Sequence, residues 1–181
     1  MEAEKYQQMW DMPEYRKYAP GEHLAQEAAQ TWTLPGKVID FGAGTGRGAL
    51  RLHRAGFAVV MLDFTDNSLD EEVRHELGPN FKFLQTDLSG DIFVKADYGF
   101  CTDVMEHIPE DQVDAVLTNI QKATNHGYLN ISTIPDGFGE KIGETLHVTV
   151  KPWDWWGEKV CKIFGPDFRL KPSQSSVAIW Y

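Results

Sequence analysis

A chain of 181 residues with 42% hydrophobic and 12% aromatic content holds one domain with a real core and is neither disordered nor fibrous. Its net charge of −10, against only a scatter of Lys159, Lys162, Arg169 and Lys171, argues against a nucleic-acid partner gripped by its backbone. No apolar run approaches the ~20 residues that span a bilayer, and the start, MEAEKYQQMWDMPEYRKY, lacks the basic-then-apolar layout of a secretion signal. A cytoplasmic protein without membrane insertion is therefore expected, with Cys101 and Cys161 reading as reduced core residues.

The N-terminal part, residues 1–36, reads as a helical arm that can serve as a lid, and residues 37–181 as a single domain. The arm carries Tyr6, Trp10, Tyr15 and Tyr18, and a helix over 22–32 is predicted from the four-apart recurrence of Leu24, Ala28 and Trp32. A buried strand follows at 37–41, then a glycine loop opening a helix to about 55. The pattern continues with a strand at 57–63, a helix near 68–77, and strands at 81–85 and 98–102. A helix over 110–124 presents Val113, Val116, Leu117 and Ile120 on one face. A strand at 127–134 comes next, and then a helix over 152–164 with Trp153, Trp156, Val160 and Ile163 on one stripe. Short strands at 168–170 and 177–180 close the chain. Strands alternating with helices predict an α/β, doubly wound, Rossmann-like architecture: a mostly parallel seven-stranded sheet with helices on both faces.

In such a sheet the ligand sits beyond the carboxyl ends of the strands. The first four strands end at or near Asp40, Asp63, Asp87 and Asp103, so four carboxylates are expected along one crevice. Between the first strand and its helix lies VIDFGAGTGRGAL, with Gly42, Gly44, Gly46 and Gly48. No lysine follows these glycines, so a nucleoside-triphosphate loop is excluded. A dinucleotide fingerprint counted from Gly44 ends on Ala49, with Asp63 about 20 residues on, which keeps an NAD-dependent oxidoreductase open. Charge favours a different ligand, because a pyrophosphate would face several carboxylates at short range. S-adenosylmethionine carries a sulfonium and an ammonium and no phosphate. Asp63 can accept from both ribose hydroxyls, and Asp87 from the adenine amino group.

Four segments together, across about 37–134, resemble the class I S-adenosylmethionine-dependent methyltransferases, in the small-molecule, type 11-like branch. VIDFGAGTGRG is similar to their motif I and MLDFTDNS to their acidic post-I motif. QTDLSG resembles the segment that meets adenine, and TDVMEHIPEDQV the segment after strand four. The resemblance implies a methyltransferase fold, S-adenosylmethionine as cofactor, and cofactor contacts at Asp40, Gly42, Gly44, Asp63, Phe64, Asp87, Leu88 and Asp103. It implies methyl transfer to a small-molecule or sugar-containing acceptor, read here as O-methylation, with a non-catalytic cofactor-binding domain as a further alternative.

A hydroxyl acceptor needs a base within about 2.6–3.2 Å. His107 and His147 are the candidates for catalysis, with Glu106 and Asp136 behind them. Asp103 and Asp136 offer two oxygens to a cation but show no clear third ligand, so no metal is expected. Trp155, off its helix stripe, joins Trp10, Tyr15 and Tyr18 as a candidate aromatic wall over the crevice, where Arg16 can meet a carboxylate.

Overall fold

The computed structural model describes residues 2–181. Helices α1 (Glu2–Trp10), α2 (Pro13–Arg16) and α3 (Pro20–Ala29) precede the sheet. The remaining order is β1 (Lys37–Phe41), α4 (Arg47–Arg54), β2 (Ala58–Asp63), α5 (Glu71–His75), β3 (Phe81–Gln85), β4 (Ala96–Thr102), α6 (Val113–Ala123), β5 (Thr124–Ser132), α7 (Trp153–Phe164), β6 (Arg169–Pro172) and β7 (Ser176–Trp180). The seven strands lie in the order β3-β2-β1-β4-β5-β7-β6. The first five are parallel neighbours, and β7 runs antiparallel to both β5 and β6. Strand order reverses between β1 and β4, which opens the crevice at their carboxyl ends.

Both faces of the sheet are covered, which is why its central strands read as continuous apolar runs. Successive residues alternate between two core layers. Ile39, Phe41 and Cys101 pack with Val116, Leu117 and Ile120 of α6 and with Trp156 and Val160 of α7. Val38 and Phe100 face the other way, onto Ala25 and Ala28 of α3 and Leu52 of α4. α5 is shorter than the predicted 68–77. The residues before it form local bonds instead, with Ser68 Oγ donating to the Thr65 carbonyl and Asp70 extended at the helix start.

The arm docks on the crevice edge. Tyr6, Met9 and Tyr15 pack against Leu146, with Trp10, Phe64, Phe138 and Ile142 around them. Asp70 fastens this arrangement: its carboxylate accepts from Arg16 of the arm at 2.8 Å and from Arg47 at the start of α4 at 2.5 Å. Arg16 therefore meets a carboxylate of its own chain. Asp70→Ala is expected to lower stability by about 1 kcal/mol and to speed tryptic cleavage after Arg16 and Lys17 in limited digestion. A digestion rate equal to the parent's would show that this pair of contacts does not hold the arm.

Three sequence expectations are corrected. Cys161 is exposed, because it lies on the outer side of α7 while Cys101 lies inside β4. Trp153, at the first turn of α7, projects past the core and is 49% exposed; Trp156, one turn on, is fully buried. Trp155 does not join a wall over the crevice. It stands edge-on to Trp156 at 4.8 Å, under the ammonium groups of Lys151 and Lys159. The scattered cations are engaged locally: Lys159 and Lys162 pair with Asp114, Lys171 with Glu27, and Arg169 lies over the Trp180 ring. Among the described residues no helix is long and apolar enough to cross a membrane.

Candidate active site

The glycine turn after β1 is built by backbone that other residues rarely adopt. Gly42, Gly44 and Gly46 have φ of +74°, +53° and +75°. The amides of Gly42 and Ala43 donate to the Leu62 carbonyl, folding the turn back against β2. A Cβ on Gly42 would lie 2.4 Å from Val104 Cγ2, and one on Gly44 would meet the Trp10 ring at 3.1 Å. The empty glycine positions are therefore where the segment after β4 and the arm close on the loop.

Asp63, at the last position of β2, accepts from the Gly44 amide at 2.9 Å and the Thr65 amide at 3.2 Å. Burial raises its carboxyl above the usual range, and the donated N–H groups of Gly44, Thr65 and Phe64 pull it partly back. Asp40 is buried behind the loop, where the Ala49 amide donates to it. Burial, and then the charge of Asp63, push its carboxyl up to about 8. Asp87 sits at the rim and accepts from the amide and hydroxyl of Ser89, both at 2.8 Å.

A cavity of about 490 Å³ opens at this edge. Gly42, Gly44, Asp63, Phe64, Asp87, Leu88 and Asp103 all line it. Asp40 does not; with Gly42, Gly44 and Asp103 it lines a smaller adjoining pocket, which Trp10, Tyr15 and Tyr18 also line. The four acids thus gather at one edge of the sheet.

The segment after β4 brings the candidate catalytic groups. Asp103 is left-handed, with φ +59°, the one such non-glycine position among the described residues. A non-glycine residue held there stores strain, and such strain clusters at functional sites. Glu106 is fully buried and accepts from the Ser132 amide at 2.7 Å. Burial, and then the facing Asp103, hold its carboxyl well above the ordinary value. Burial likewise raises Asp103, opposed by its bond to Glu106 and by His147. His107 lines the cavity, and its Nδ1 lies 3.0 Å from the Leu146 carbonyl and 2.8 Å from the Tyr6 hydroxyl. Burial, then the neighbouring His147, lower its basicity to about 3, so it stays neutral. His147 stands edge-on to His107 at 4.8 Å, with Nδ1 2.7 Å from the Ile134 carbonyl.

Asp136 lies near enough for its charge to act on Asp103 and His107, but its carboxylate is not among the four clustered donors. It caps its own turn, accepting from the Phe138 and Gly139 amides at 2.8 Å each. The sequence reading missed Tyr6, Val104, Ile108 and Gln112, which also line the cavity. Val104, Ile108 and Gln112 lie within TDVMEHIPEDQ, and that membership was the available signal. Tyr6 is 101 positions from His107, and nothing local reports that contact.

The glycine cradle and the carboxylates fit S-adenosylmethionine. The turn presents bare backbone, Asp63 keeps acceptor capacity toward the cavity, and the negative edge suits two cationic centres while opposing a pyrophosphate. Strand order and edge chemistry together define the fold of the class I, Rossmann-like methyltransferases. Residues 38–127 match a family model described as "Methyltransferase domain", and in sequence and fold the chain is similar to S-adenosylmethionine-dependent methyltransferases.

Comparison with individual proteins agrees. "Probable S-adenosyl-L-methionine-dependent methyltransferase TehB" of Haemophilus influenzae (strain 10810) is 29% identical over 100 residues, 54% of this chain and 35% of the relative. The chain thus spans about a third of that relative's length. Among solved structures, the Burkholderia thailandensis 1,6-didemethyltoxoflavin-N1-methyltransferase, with bound 1,6-didemethyltoxoflavin and S-adenosylhomocysteine, superposes with a TM-score of 0.71 at 16% identity. That match covers 93% of this chain and 80% of that one. Magnesium protoporphyrin IX methyltransferase of Synechocystis PCC 6803, with S-adenosylhomocysteine, gives 0.63 at 20% identity, covering 92% and 82%.

Proposed function

We propose that this domain methylates an oxygen of a small-molecule acceptor, sugar-containing acceptors included, inside the 490 Å³ cavity. One observation carries the reading: Asp63 and Asp87, the carboxylates suited to an adenosine, share that cavity with Asp103 and His107 of the segment after β4. The cofactor, when bound, supplies a methyl on a positively charged sulfur. Asp63 accepts from the ribose hydroxyls, Asp87 from the adenine amino group, and Phe64 and Leu88 form the apolar walls of the base. Gly42 and Gly44 leave room for the methionine part, while Asp40 holds the turn through Ala49. Asp103 favours the nearby cationic centre.

The protein's work in such a displacement is positioning and exclusion of water. The first two helices of the arm act as the lid, with Trp10 over the glycine turn and Tyr6 and Tyr15 over the cavity, while α3 stays packed on the sheet. A hydroxyl must lose a proton as it is methylated, and an amine acceptor that reaches the site neutral need not lose one first. The Asp103, Glu106, His107 and His147 group beside the cavity answers that need and supports oxygen over nitrogen as the atom methylated.

The test has two arms. Calorimetric titration is expected to give S-adenosylhomocysteine binding at sub-millimolar concentration. A radiolabel screen is expected to show methyl transfer to hydroxylated small molecules in preference to amine analogues. Binding without transfer to any hydroxyl acceptor, or transfer to amines alone, would overturn the oxygen reading.

A further inference from the structure

The sequence offers Asp103 and Asp136 to a cation and shows no third donor. The fold changes both halves of that reading. Asp136 is spent on its own turn, and Asp103 gathers three other donors. One carboxylate oxygen or ring nitrogen from each of Asp103, Glu106, His107 and His147 lies within 4.8 Å of all the others. Donors across a single ion, each about 2.0–2.2 Å from it, stand about 4.0–4.4 Å apart. Side-chain adjustments of a few tenths of an ångström close the difference.

Two independent features point to a bound cation. Glu106 is fully buried, and its Oε2 has no hydrogen-bond donor. What faces Glu106 is Asp103, and the two acids bond each other only through a shared proton, the position a cation would take. The charge of Lys5 reaches His107, but none of the ion pairs of the described residues joins a lysine or arginine to Asp103 or Glu106. A buried acceptor without a donor is costly, and two carboxylates face to face need something positive between them. The second feature is the histidine tautomers. His107 and His147 both set Nδ1 against a backbone carbonyl, of Leu146 and Ile134. A carbonyl only accepts, so Nδ1 carries the proton and Nε2 is left bare. This is how metal-binding histidines are oriented by their outer partners.

We propose that Asp103, Glu106, His107 and His147 form a site for one divalent transition-metal ion at the β4 edge of the cavity. Two nitrogen and two oxygen donors suit manganese, iron, cobalt, nickel or zinc better than magnesium or calcium, which prefer oxygen alone. A six-coordinate ion keeps two further positions, and Asp103 and His107 line the cavity from which they are reached. On the methyl-transfer reading, which this last step rests on, an acceptor oxygen takes one of them. The ion then lowers that hydroxyl's pKa, doing the work otherwise asked of a free histidine base.

The full chain, stripped by a chelator and desalted, is titrated with Mn²⁺ by calorimetry and with Co²⁺ by visible absorption. The expected result is one equivalent of each bound, with a cobalt d–d band. His147→Ala and Glu106→Gln are expected to weaken binding about 10–100-fold, with S-adenosylhomocysteine affinity within about two-fold of the parent. His147 lies on a half-exposed segment, so its variant carries the test even where Glu106→Gln does not fold. No saturable Mn²⁺ or Co²⁺ binding by folded protein, or binding that His147→Ala leaves unchanged, overturns the site. S-adenosylhomocysteine binding without metal binding overturns the site and leaves the transfer reading standing. Metal binding without S-adenosylhomocysteine binding supports the site and overturns the transfer reading.

Discussion

Alanine at Gly42 is expected to cost about 2–5 kcal/mol of folding stability and to raise the dissociation constant for S-adenosylhomocysteine at least tenfold. Two effects add. The backbone is left-handed there, with φ +74°, which costs a residue with a Cβ about 1–2 kcal/mol. The new Cβ would also stand 2.4 Å from Val104 Cγ2, in a contact between the turn and the segment after β4 where over-packing costs about 1–3 kcal/mol. Relief of the clash moves the turn away from Val104 and shifts the Gly44 amide off Asp63, so the cofactor wall is disturbed with the fold. Gly44→Ala is the informative comparison. Its Cβ meets only the Trp10 ring of the arm, at 3.1 Å, so its stability cost is mainly the backbone share. Urea unfolding of both variants reads the difference directly. Equal stability of Gly42→Ala and parent would mean that the turn does not press against Val104.

The same turn explains why much of the fold could be read in advance. Strands buried on both faces write themselves as apolar runs, and β1 and β3 begin and end where expected, at Lys37–Phe41 and Phe81–Gln85. Acids at strand ends point to one edge once the strands are parallel, so the gathering of Asp63, Asp87 and Asp103 followed from order alone. Their roles toward the cofactor remain proposals. Helix ends were less legible. α6 starts at Val113 and not at residue 110, because a turn closed by the Gln112 amide on the Pro109 carbonyl holds the preceding residues. β5 starts at Thr124, directly on the last residue of α6, three positions before the predicted 127. The least legible features depend on distant segments. The arm reaches the loop at 133–151 through Tyr15 and Phe138, and the polar group of Asp103, Glu106, His107 and His147 joins residues 40 positions apart. Periodicity encodes which face of an element is buried, and it carries no information on which remote loop lands there. Trp155 shows the converse: a residue off the stripe was free to be assigned to the crevice, and tertiary packing instead set it against Trp156.

Asp63→Ala is expected to weaken S-adenosylhomocysteine binding by about 1.5–3 kcal/mol, roughly 10–150-fold, since it removes charge-assisted bonds to a ribose. The effect on stability should be far smaller, because two changes oppose each other. The Gly44 and Thr65 amides lose their acceptor, while a carboxylate that burial already disfavours is removed. Asp63→Asn separates these parts. Its amide oxygen still accepts from Gly44, while its NH2 group is set against the Thr65 amide and the negative charge toward the cavity is gone. Affinity between those of the parent and the alanine variant is the signature of a ribose held by charge. Should the asparagine variant bind as tightly as the parent, the carboxylate serves the glycine turn alone and the ribose lies elsewhere along the edge. Should the asparagine and alanine variants be equally weak, charge outweighs the loop contact.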